Sequence, residues 1–331
     1  MKKSRTVLFS LVLFIGGLLL LAVLFSLFQK PGPWKKPASS PGLYRKSEVE
    51  GLPHEHVPGA TGVVAGLSVR INNLGFRGED VSRSKPEGTT RIVIVGDSIV
   101  FGQGVDEEKT LSCLIEELLA RKEPGRSFQV INAGVRGYNS HDYVVLLKEK
   151  VLSLSPDLVI LVITEINDPE RKPFRPESEK LERFKSSPWR KVPILRELVA
   201  ASYADEINRL FKEHVKSLYD PEGEEFRRFR EDIRSVKEIC DKSSVELLAV
   251  TFPMLSEENM FETERARLKT MLSEEGVSFI DPYPLLDRYP AGELVVGPRD
   301  FHPNGKALEI VARALAGPVM QKTAGKKKDK D

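Results

Sequence analysis

Residues 91–98 read RIVIVGDS, an apolar run that passes directly into Gly-Asp-Ser. Consecutive β-favouring residues bounded by glycine predict a buried strand that ends abruptly. A serine just beyond such a strand lies where open α/β sheets bind ligands, and the N–H groups that begin the next helix can hold negative charge. Ser98 is therefore a candidate nucleophile. Asp97 and Ser98 could instead cap the helix predicted over 110–121, and the tripeptide alone favours neither interpretation.

Three further blocks follow this one along the chain. Residues 130–140 read VINAGVRGYNS, a second short strand that runs into glycines. Residues 158–168 read LVILVITEIND, an unbroken apolar run of the kind that a strand covered on both faces requires. Residues 300–304 read DFHPN. Serine, glycine, asparagine and histidine thus occur in order, three of them just beyond predicted strands.

Together these blocks resemble the SGNH subgroup of the GDSL hydrolases, from about residue 65 to residue 317. Residues 70–78, RINNLGFRG, also resemble a lead-in that is common in bacterial members. The resemblance implies a flavodoxin-like, three-layer α/β/α fold with a central parallel sheet, and it implies ester hydrolysis.

The resemblance also implies a role for each block. Ser98 would be the nucleophile, and His302 the general base and then the acid for the leaving alcohol. The backbone N–H groups of Ser98 and Gly137 and the side-chain amide of Asn167 would form the oxyanion hole. Glycine leaves room for the substrate beside the backbone, and asparagine supplies an uncharged donor.

Two positions depart from the family pattern. Glu165 stands where the family has glycine, two residues before Asn167, and we expect its carboxylate near the pocket. The family's aspartate lies three residues before the histidine, where this chain has Arg299. Asp300, two residues before His302, is the candidate for orienting the imidazole, because an extended loop can still return its carboxylate to the ring.

Each candidate has a plainer interpretation. His302, followed by Pro-Asn, could be an ordinary loop residue before the next helix, and Asn167 could belong to a turn that ends the strand. The order of the upstream blocks favours function for His302, and the buried strand before Asn167 aims it at the same sheet edge as Ser98. We expect Asp97 to be a structural hydrogen-bonding residue rather than a catalytic one.

Composition excludes several classes of function. The 331 residues carry a net charge of only +2, so no strong field indicates nucleic acid. His54 and His56 are followed by no matching ligand set, so we expect no metal, and no cofactor is implied. Cys113 and Cys240 are the only cysteines and form no disulfide framework, although a single bond between them stays open.

The N-terminus predicts a membrane anchor. Residues 7–28 carry no charge, and these 22 residues span about 33 Å as a helix, enough for a bilayer core of about 30 Å. Three basic residues precede them, which favours a cytoplasmic N-terminus. A cleavable signal peptide is the alternative, but no small-x-small site closes the run. We expect residues 1–28 to be a retained single-pass signal anchor, with the rest of the chain extracytoplasmic, in the periplasm or at the cell surface.

Beyond the anchor, the sequence predicts a spacer, a domain and a tail. Residues 29–42 are rich in proline and read as an extended spacer, and residues 318–331 as a disordered basic tail. The hydrolase-like domain is expected over 43–317. Within it, residues 169–225 are predicted to be a charged helical insertion that forms a lid over the pocket. That insertion could instead pack on the domain edge or face the membrane.

Strands and helices alternate along the domain, which predicts a parallel sheet with helices on both faces. Strands are expected at 91–95, 128–132, 157–163, 245–251 and 277–281. Helices are expected at 110–121, 140–152, 226–242, 256–274 and 305–316.

Three functions are compatible with these residues, ranked as follows. The first is a membrane-anchored serine ester hydrolase, of esterase, deacetylase or lipase type, acting on an acyl ester of envelope glycan or lipid. The second is an O-acyltransferase that uses Ser98 and His302 with a sugar hydroxyl in place of water. The third is a non-catalytic envelope polysaccharide-binding protein, which Glu165 and the shifted Asp300 would favour.

Overall fold

The computed structural model describes residues 16–17, 42–171, 174, 186, 193–256, 259–298 and 300–324. The predicted anchor and spacer lie outside this part of the chain, apart from three glycines, as do residues 325–331, Arg299 and most of 172–192. Among the described residues, no helix is both long enough and apolar enough to span a membrane. The chain divides into two units, 1–36 with 174–214 and 37–173 with 215–331.

The strands and helices are as follows. The strands are β1 (Tyr44–Arg45), β2 (Glu55–His56), β3 (Thr61–Val64), β4 (Leu67–Arg70), β5 (Thr89–Gly96), β6 (Ser127–Gly134), β7 (Leu158–Thr164), β8 (Glu246–Phe252), β9 (Phe279–Ile280), β10 (Val295–Gly297) and β11 (Asp300–Pro303). The helices are α1 (Ser98–Phe101), α2 (Leu111–Lys122), α3 (Ser140–Leu146), α4 (Pro193–Leu218), α5 (Glu224–Lys242), α6 (Glu262–Glu274), α7 (Tyr283–Leu286) and α8 (Gly305–Ala324).

A parallel sheet of five strands forms the centre of the second unit, in the order β6-β5-β7-β8-β9. Numbered along the chain, this order is 2-1-3-4-5, the flavodoxin-like arrangement that the resemblance implies. The predicted fold class is therefore confirmed, and each predicted strand lies within two residues of its observed bounds. The strand order reverses between β5 and β7, and folds of this kind bind ligands beyond the carboxyl ends of the strands at such a point.

The sheet is buried on both faces, which explains why its strands read as unbroken apolar runs. All seven residues of β7 are buried. Alternate residues of β5, β7 and β8 join one core with the inner faces of α2 and α8. The residues between them point to the opposite face and are also buried, on the side where α3 and α5 pack together. Each large apolar side chain buried in this way contributes about 1.5–3 kcal/mol.

Several short elements lie beyond what the periodicity predicts. Antiparallel pairs form between β1 and β2, between β3 and β4, and between β10 and β11. Such strands, of two to four residues, are too short for a repeating pattern to reveal. Helix α6 begins at Glu262 rather than at 256. Cys113 and Cys240 are both free thiols.

The C-terminal helix corrects one domain boundary. A disordered tail is predicted from residue 318, but α8 continues to Ala324 with Pro318 inside it. Val319 and Thr323 are buried and continue the apolar face of Leu315 at four-residue spacing. This burial offsets the hydrogen bond that proline removes. The predicted tail boundary is therefore wrong, and only residues 325–331 of that tail lie outside the described chain.

Candidate active site

Ser98 begins the short helix α1 directly after β5. The Asp97 carboxylate caps this helix, because its Oδ1 accepts the Ile99 N–H at 2.9 Å. Helix α1 lies close against the end of β6, where a Cβ atom on Gly134 would overlap the Phe101 backbone nitrogen. Gly134 is thus required for α1 to approach the sheet, and α1 in turn fixes the position of Ser98.

Three of the predicted site residues are joined by direct hydrogen bonds. The His302 Nε2 atom lies 2.9 Å from Ser98 Oγ, and His302 Nδ1 lies 2.5 Å from Asp300 Oδ1. The His302 backbone N–H also donates to Asp300 Oδ1, at 3.2 Å. Since an ionised Asp300 can only accept, the neutral ring carries its proton on Nδ1, and Nε2 is left to accept the Ser98 hydroxyl proton.

The three predicted oxyanion donors follow three adjacent strands. Ser98 follows β5, Gly137 follows β6 and Asn167 follows β7, so all three lie at one edge of the sheet. Within the described part of the chain, the N–H groups of Ser98 and Gly137 enter no hydrogen bond. Gly137 has a φ of 79°, a left-handed conformation that favours glycine, and it is exposed to solvent.

Asn167 is tied to the turn that carries the serine. Its Nδ2 donates to Asp97 Oδ2 at 2.9 Å, which leaves the second amide hydrogen for an external acceptor. Asp97 is fully buried, and this burial raises the pKa of its carboxyl although the bonds from Asn167 and Ile99 oppose the rise. Asp97 therefore has the structural role that the sequence predicts.

A family model described as GDSL-like lipase/acylhydrolase matches residues 94–310. The chain belongs to this family. The resemblance seen in the sequence is thereby confirmed, and the family is one of lipases and acylhydrolases. No curated protein matches the chain.

Several solved esterases have a similar backbone. A two-domain esterase active on acetylated mannans is 17% identical, with a TM-score of 0.46, and the match covers 73% of this chain and 52% of that one. This GDSL-family chain thus spans about half the length of that relative. The acetylxylan esterase Axe2 from Geobacillus stearothermophilus is 15% identical, with a TM-score of 0.44, covering 71% of this chain and 94% of that one.

The turn that carries Asn167 rests on a second buried carboxyl. Asp168 accepts the Tyr143 hydroxyl at 2.9 Å and the Thr164 N–H at 2.8 Å. Burial and the nearby charge of Asp97 raise the pKa of Asp168 well above its usual range. These bonds fix the turn at the end of β7 and so the direction of the preceding Asn167 side chain.

Glu165 stands where the family has glycine. Contrary to the expectation from the sequence, its side chain does not face the pocket. Its side chain is buried, its Oε1 accepts the Met254 N–H at 2.8 Å, and its Oε2 lies 3.6 Å from Arg265 Nη1. Burial raises the pKa of this carboxyl to about 7, although the Arg265 charge lowers it in part. The charge that the sequence places near the substrate is instead enclosed in the protein, where it links β7 to the segment after β8.

The sequence analysis missed two residues beside this site: Gln103 contacts Asp300 and His302, and Arg136 contacts Gln103. Gln103 Nε2 lies 3.4 Å from Asp300 Oδ2 and 3.1 Å from His302 Nδ1, and Arg136 Nε donates to Gln103 Oε1 at 2.7 Å. Gln103 stands between two glycines with left-handed backbones, the one local signal that this loop is specialised. Among the described residues, no group of acidic, histidine or cysteine side chains is arranged to hold a metal.

Proposed function

We propose that this chain is a serine ester hydrolase in which Ser98 is the nucleophile, His302 the general base and Asp300 the residue that orients the imidazole. The observation that carries the proposal is the continuous series of bonds from Ser98 Oγ through both His302 nitrogens to the Asp300 carboxylate. This arrangement can remove the hydroxyl proton and hold the resulting imidazolium.

The reaction follows from these contacts. Ser98 Oγ attacks the acyl carbon while its proton moves to His302 Nε2. The carbonyl oxygen gains negative charge and accepts hydrogen bonds from the Ser98 and Gly137 N–H groups and the free Asn167 amide hydrogen. His302 then protonates the leaving alcohol. A water molecule releases the acyl group by the same route, and Ser98 is restored.

The proposal extends to where the enzyme acts. The uncharged stretch at 7–28 would hold the domain at the outer face of a membrane, as a single-pass protein with a cytoplasmic N-terminus. Ester-bearing glycans and lipids of the cell envelope are the acyl esters within reach of such an enzyme. We therefore propose an acyl ester of envelope glycan or lipid as the substrate.

The inserted segment is proposed as a lid over this site. Both of its ends are anchored in the second unit near the turn of Asn167. At one end Arg171 Nη2 donates to Asp232 Oδ2 at 2.7 Å, and at the other the Tyr219 hydroxyl donates to the Glu165 carbonyl at 2.8 Å. Replacing residues 174–214 with a short Gly-Ser linker should then raise turnover of bulky esters relative to p-nitrophenyl acetate.

The catalytic assignment is tested on the full-length chain in mild detergent. Turnover of p-nitrophenyl acetate and fluorophosphonate labelling are measured for the wild type, Ser98→Ala, His302→Ala and the control Ser235→Ala. Ser235 lies on α5, where its hydroxyl donates to the Glu231 carbonyl. Both signals should be lost in Ser98→Ala and kept in Ser235→Ala. Labelling that persists in Ser98→Ala would place the nucleophile elsewhere.

The membrane assignment needs its own measurement. Membranes from expressing cells are washed with alkaline carbonate, and protease is added to intact spheroplasts. An anchored, outward-facing domain should stay with the membrane and be digested from outside. Release by carbonate would show that residues 7–28 do not anchor the mature protein.

A further inference from the structure

We propose that Gln103 and Arg136 are positioning residues for Asp300, and that they support its carboxylate in this chain, where the aspartate lies two residues before the histidine instead of three. The inference rests on the proposed function, because it concerns the residue that orients His302. Gln103 touches both members of that pair, and Arg136 fixes the direction of Gln103.

The orientation of the Gln103 amide follows from its partners. An arginine side chain has only donors, so the Gln103 atom that Arg136 Nε contacts at 2.7 Å is the carbonyl oxygen Oε1. The Nε2 amide group must then face Asp300 and His302. Arg136 thus excludes the flipped amide, which would direct an oxygen at the Asp300 carboxylate.

In the resting site the Gln103 Nε2 group donates its hydrogen bond to Asp300. His302 Nδ1 already carries the proton that it donates to Asp300 Oδ1, so it cannot also accept from Gln103. The remaining acceptor is Asp300 Oδ2, at 3.4 Å. One carboxylate oxygen is thus held by His302 and the other by Gln103. Burial opposes ionisation of Asp300, but the bonds from His302, with a smaller contribution from Gln103, keep the pKa of its carboxyl below the usual value.

The backbone around Gln103 is fixed from two sides. Arg77 Nη1 donates to the carbonyls of Phe101 and Gly102, at 2.8 and 2.6 Å, and so holds the end of α1. On the other side, a Cβ atom on Gly104 would lie 2.7 Å from the Val296 side chain, so this loop is closely packed against β10. Gln103 therefore projects from a rigid segment and can hold a neighbouring group in place.

The pair also joins the two halves of the proposed site. Arg136 directly precedes Gly137, whose N–H is a proposed oxyanion donor. The Arg136 carbonyl accepts a hydrogen bond from His54 Nε2 at 2.9 Å, which holds this loop from the N-terminal side. Hydrogen bonds therefore connect residues 136–137, which carry a proposed oxyanion donor, through Gln103 to Asp300. A substitution of Arg136 should therefore alter the orientation of His302 as well as the conformation of the segment that carries Gly137.

The sharpest test is Gln103→Glu in the full-length chain. Glutamate has the same shape and keeps the acceptor for Arg136, but it directs a carboxylate oxygen instead of a donor at Asp300. We expect kcat for p-nitrophenyl acetate to fall about tenfold to hundredfold, the effect of losing a charge-assisted hydrogen bond, with KM within about twofold. The acidic limb of the kcat/KM profile should move up by about one pH unit, because added negative charge stabilises the imidazolium.

The chain offers a matched control in Gln129→Glu. Gln129 Oε1 accepts Arg91 Nε at the same 2.7 Å, but this pair lies at the opposite end of the sheet. The control variant should keep the wild-type kcat and pH profile. Arg136→Met should repeat part of the Gln103→Glu effect, and Arg136→Lys, which keeps the charge, should restore part of the loss. Gln103→Met serves as the second variant if Gln103→Glu does not fold.

A readout that does not need turnover separates this inference from the proposed function. The titration midpoint of the His302 ring is followed by NMR in protein with ¹³C-labelled histidine, with the signal assigned from its loss in His302→Gln. An upward shift in Gln103→Glu, absent in Gln129→Glu, supports the inference even if the wild type hydrolyses no ester. If the wild type is active and the folded Gln103 variant, Gln103→Glu or in its place Gln103→Met, keeps the wild-type kcat, pH profile and titration midpoint, the inference is overturned and the proposed function is left intact.

Discussion

The His302 ring nitrogen Nδ1 lies 2.5 Å from Asp300 Oδ1, although only Phe301 separates the two residues in the chain. Both lie in β11, and alternate residues of a strand point to the same side. Phe301 points to the other side and is 54% exposed. A spacing of two residues therefore brings the carboxylate to the imidazole because the segment is a strand, so the shorter spacing does not by itself break the pair.

Asp300→Asn should lower kcat by about 10² to 10⁴, with KM within about threefold. The amide offers His302 Nδ1 a donor as readily as an acceptor, so the ring can take the tautomer that cannot accept the Ser98 proton. Steady-state kinetics and thermal unfolding are measured together. Asp287→Asn is the control, since Asp287 is exposed, accepts the Tyr283 hydroxyl and lies outside the proposed catalytic set. An Asp300→Asn enzyme within a few-fold of wild type would assign the orienting role to another group.

The sequence predicts the parts of this site that depend on local pattern. One apolar run ends in Gly-Asp-Ser and another in Asn-Asp, and both runs end at one edge of the parallel sheet. The pattern by itself therefore places Ser98 and Asn167 at that edge. The order of the strands needs the family resemblance, because periodicity does not specify neighbours. Gln103 cannot be found from local pattern, since its contact with Asp300 joins residues 197 positions apart.

Glu165 shows the same limit of local pattern. The sequence predicts its carboxylate at the pocket because it lies two residues from Asn167. Its direction is decided by Met254 and Arg265, which lie about 90 to 100 positions away along the chain. A buried partner of this kind leaves no trace in the local pattern. The strand β11 escapes prediction for a different reason, since four residues are too few to show an alternation.

Asn167→Asp should lower kcat by about 10² to 10³ while leaving the fold intact. The substitution keeps the shape of the side chain but replaces the donor to the oxyanion with a carboxylate, and losing one such donor raises the barrier by about 2.7–4 kcal/mol. The new carboxylate would also face the buried Asp97, with which the native amide forms a hydrogen bond. Turnover and circular dichroism are compared with the wild type. Undiminished kcat would remove Asn167 from the oxyanion hole.

Glu165 should make the stability of the protein depend on pH. Burial raises the pKa of this carboxyl from 4.5 to about 7 in the folded state, so the folded protein binds the proton more tightly than the unfolded chain. The associated stability is fully present below pH 4.5 and is lost as pH rises through about 7. Relative to the wild type, Glu165→Gln should therefore gain up to about 3 kcal/mol in free energy of unfolding between pH 5 and pH 8.

The measurement is urea unfolding of both proteins at several pH values between 5 and 8. Glu275→Gln is the control with the opposite electrostatics. Hydrogen bonds from Arg234 and Arg230 lower the pKa of Glu275, so this group is already ionised throughout most of the interval. The stability difference between Glu275→Gln and the wild type should stay nearly constant from pH 6 to pH 8. A constant difference for Glu165→Gln as well would show that Glu165 is ionised at neutral pH despite its burial.

Gly134→Ala should damage both stability and activity, because this glycine is where α1 meets the sheet. The added methyl group would overlap the Phe101 backbone nitrogen, and backbone cannot move aside as a side chain can. Overpacking of this kind costs about 1–3 kcal/mol or more. Since α1 begins with Ser98, any shift that relieves the overlap also displaces the nucleophile from His302.

Gly125→Ala is the matched control, as nothing lies within 4 Å of a Cβ atom there. The melting temperature and kcat should both fall in Gly134→Ala and stay at wild-type values in Gly125→Ala. Equal behaviour of the two variants would mean that α1 tolerates movement and that the position of Ser98 is set by other contacts.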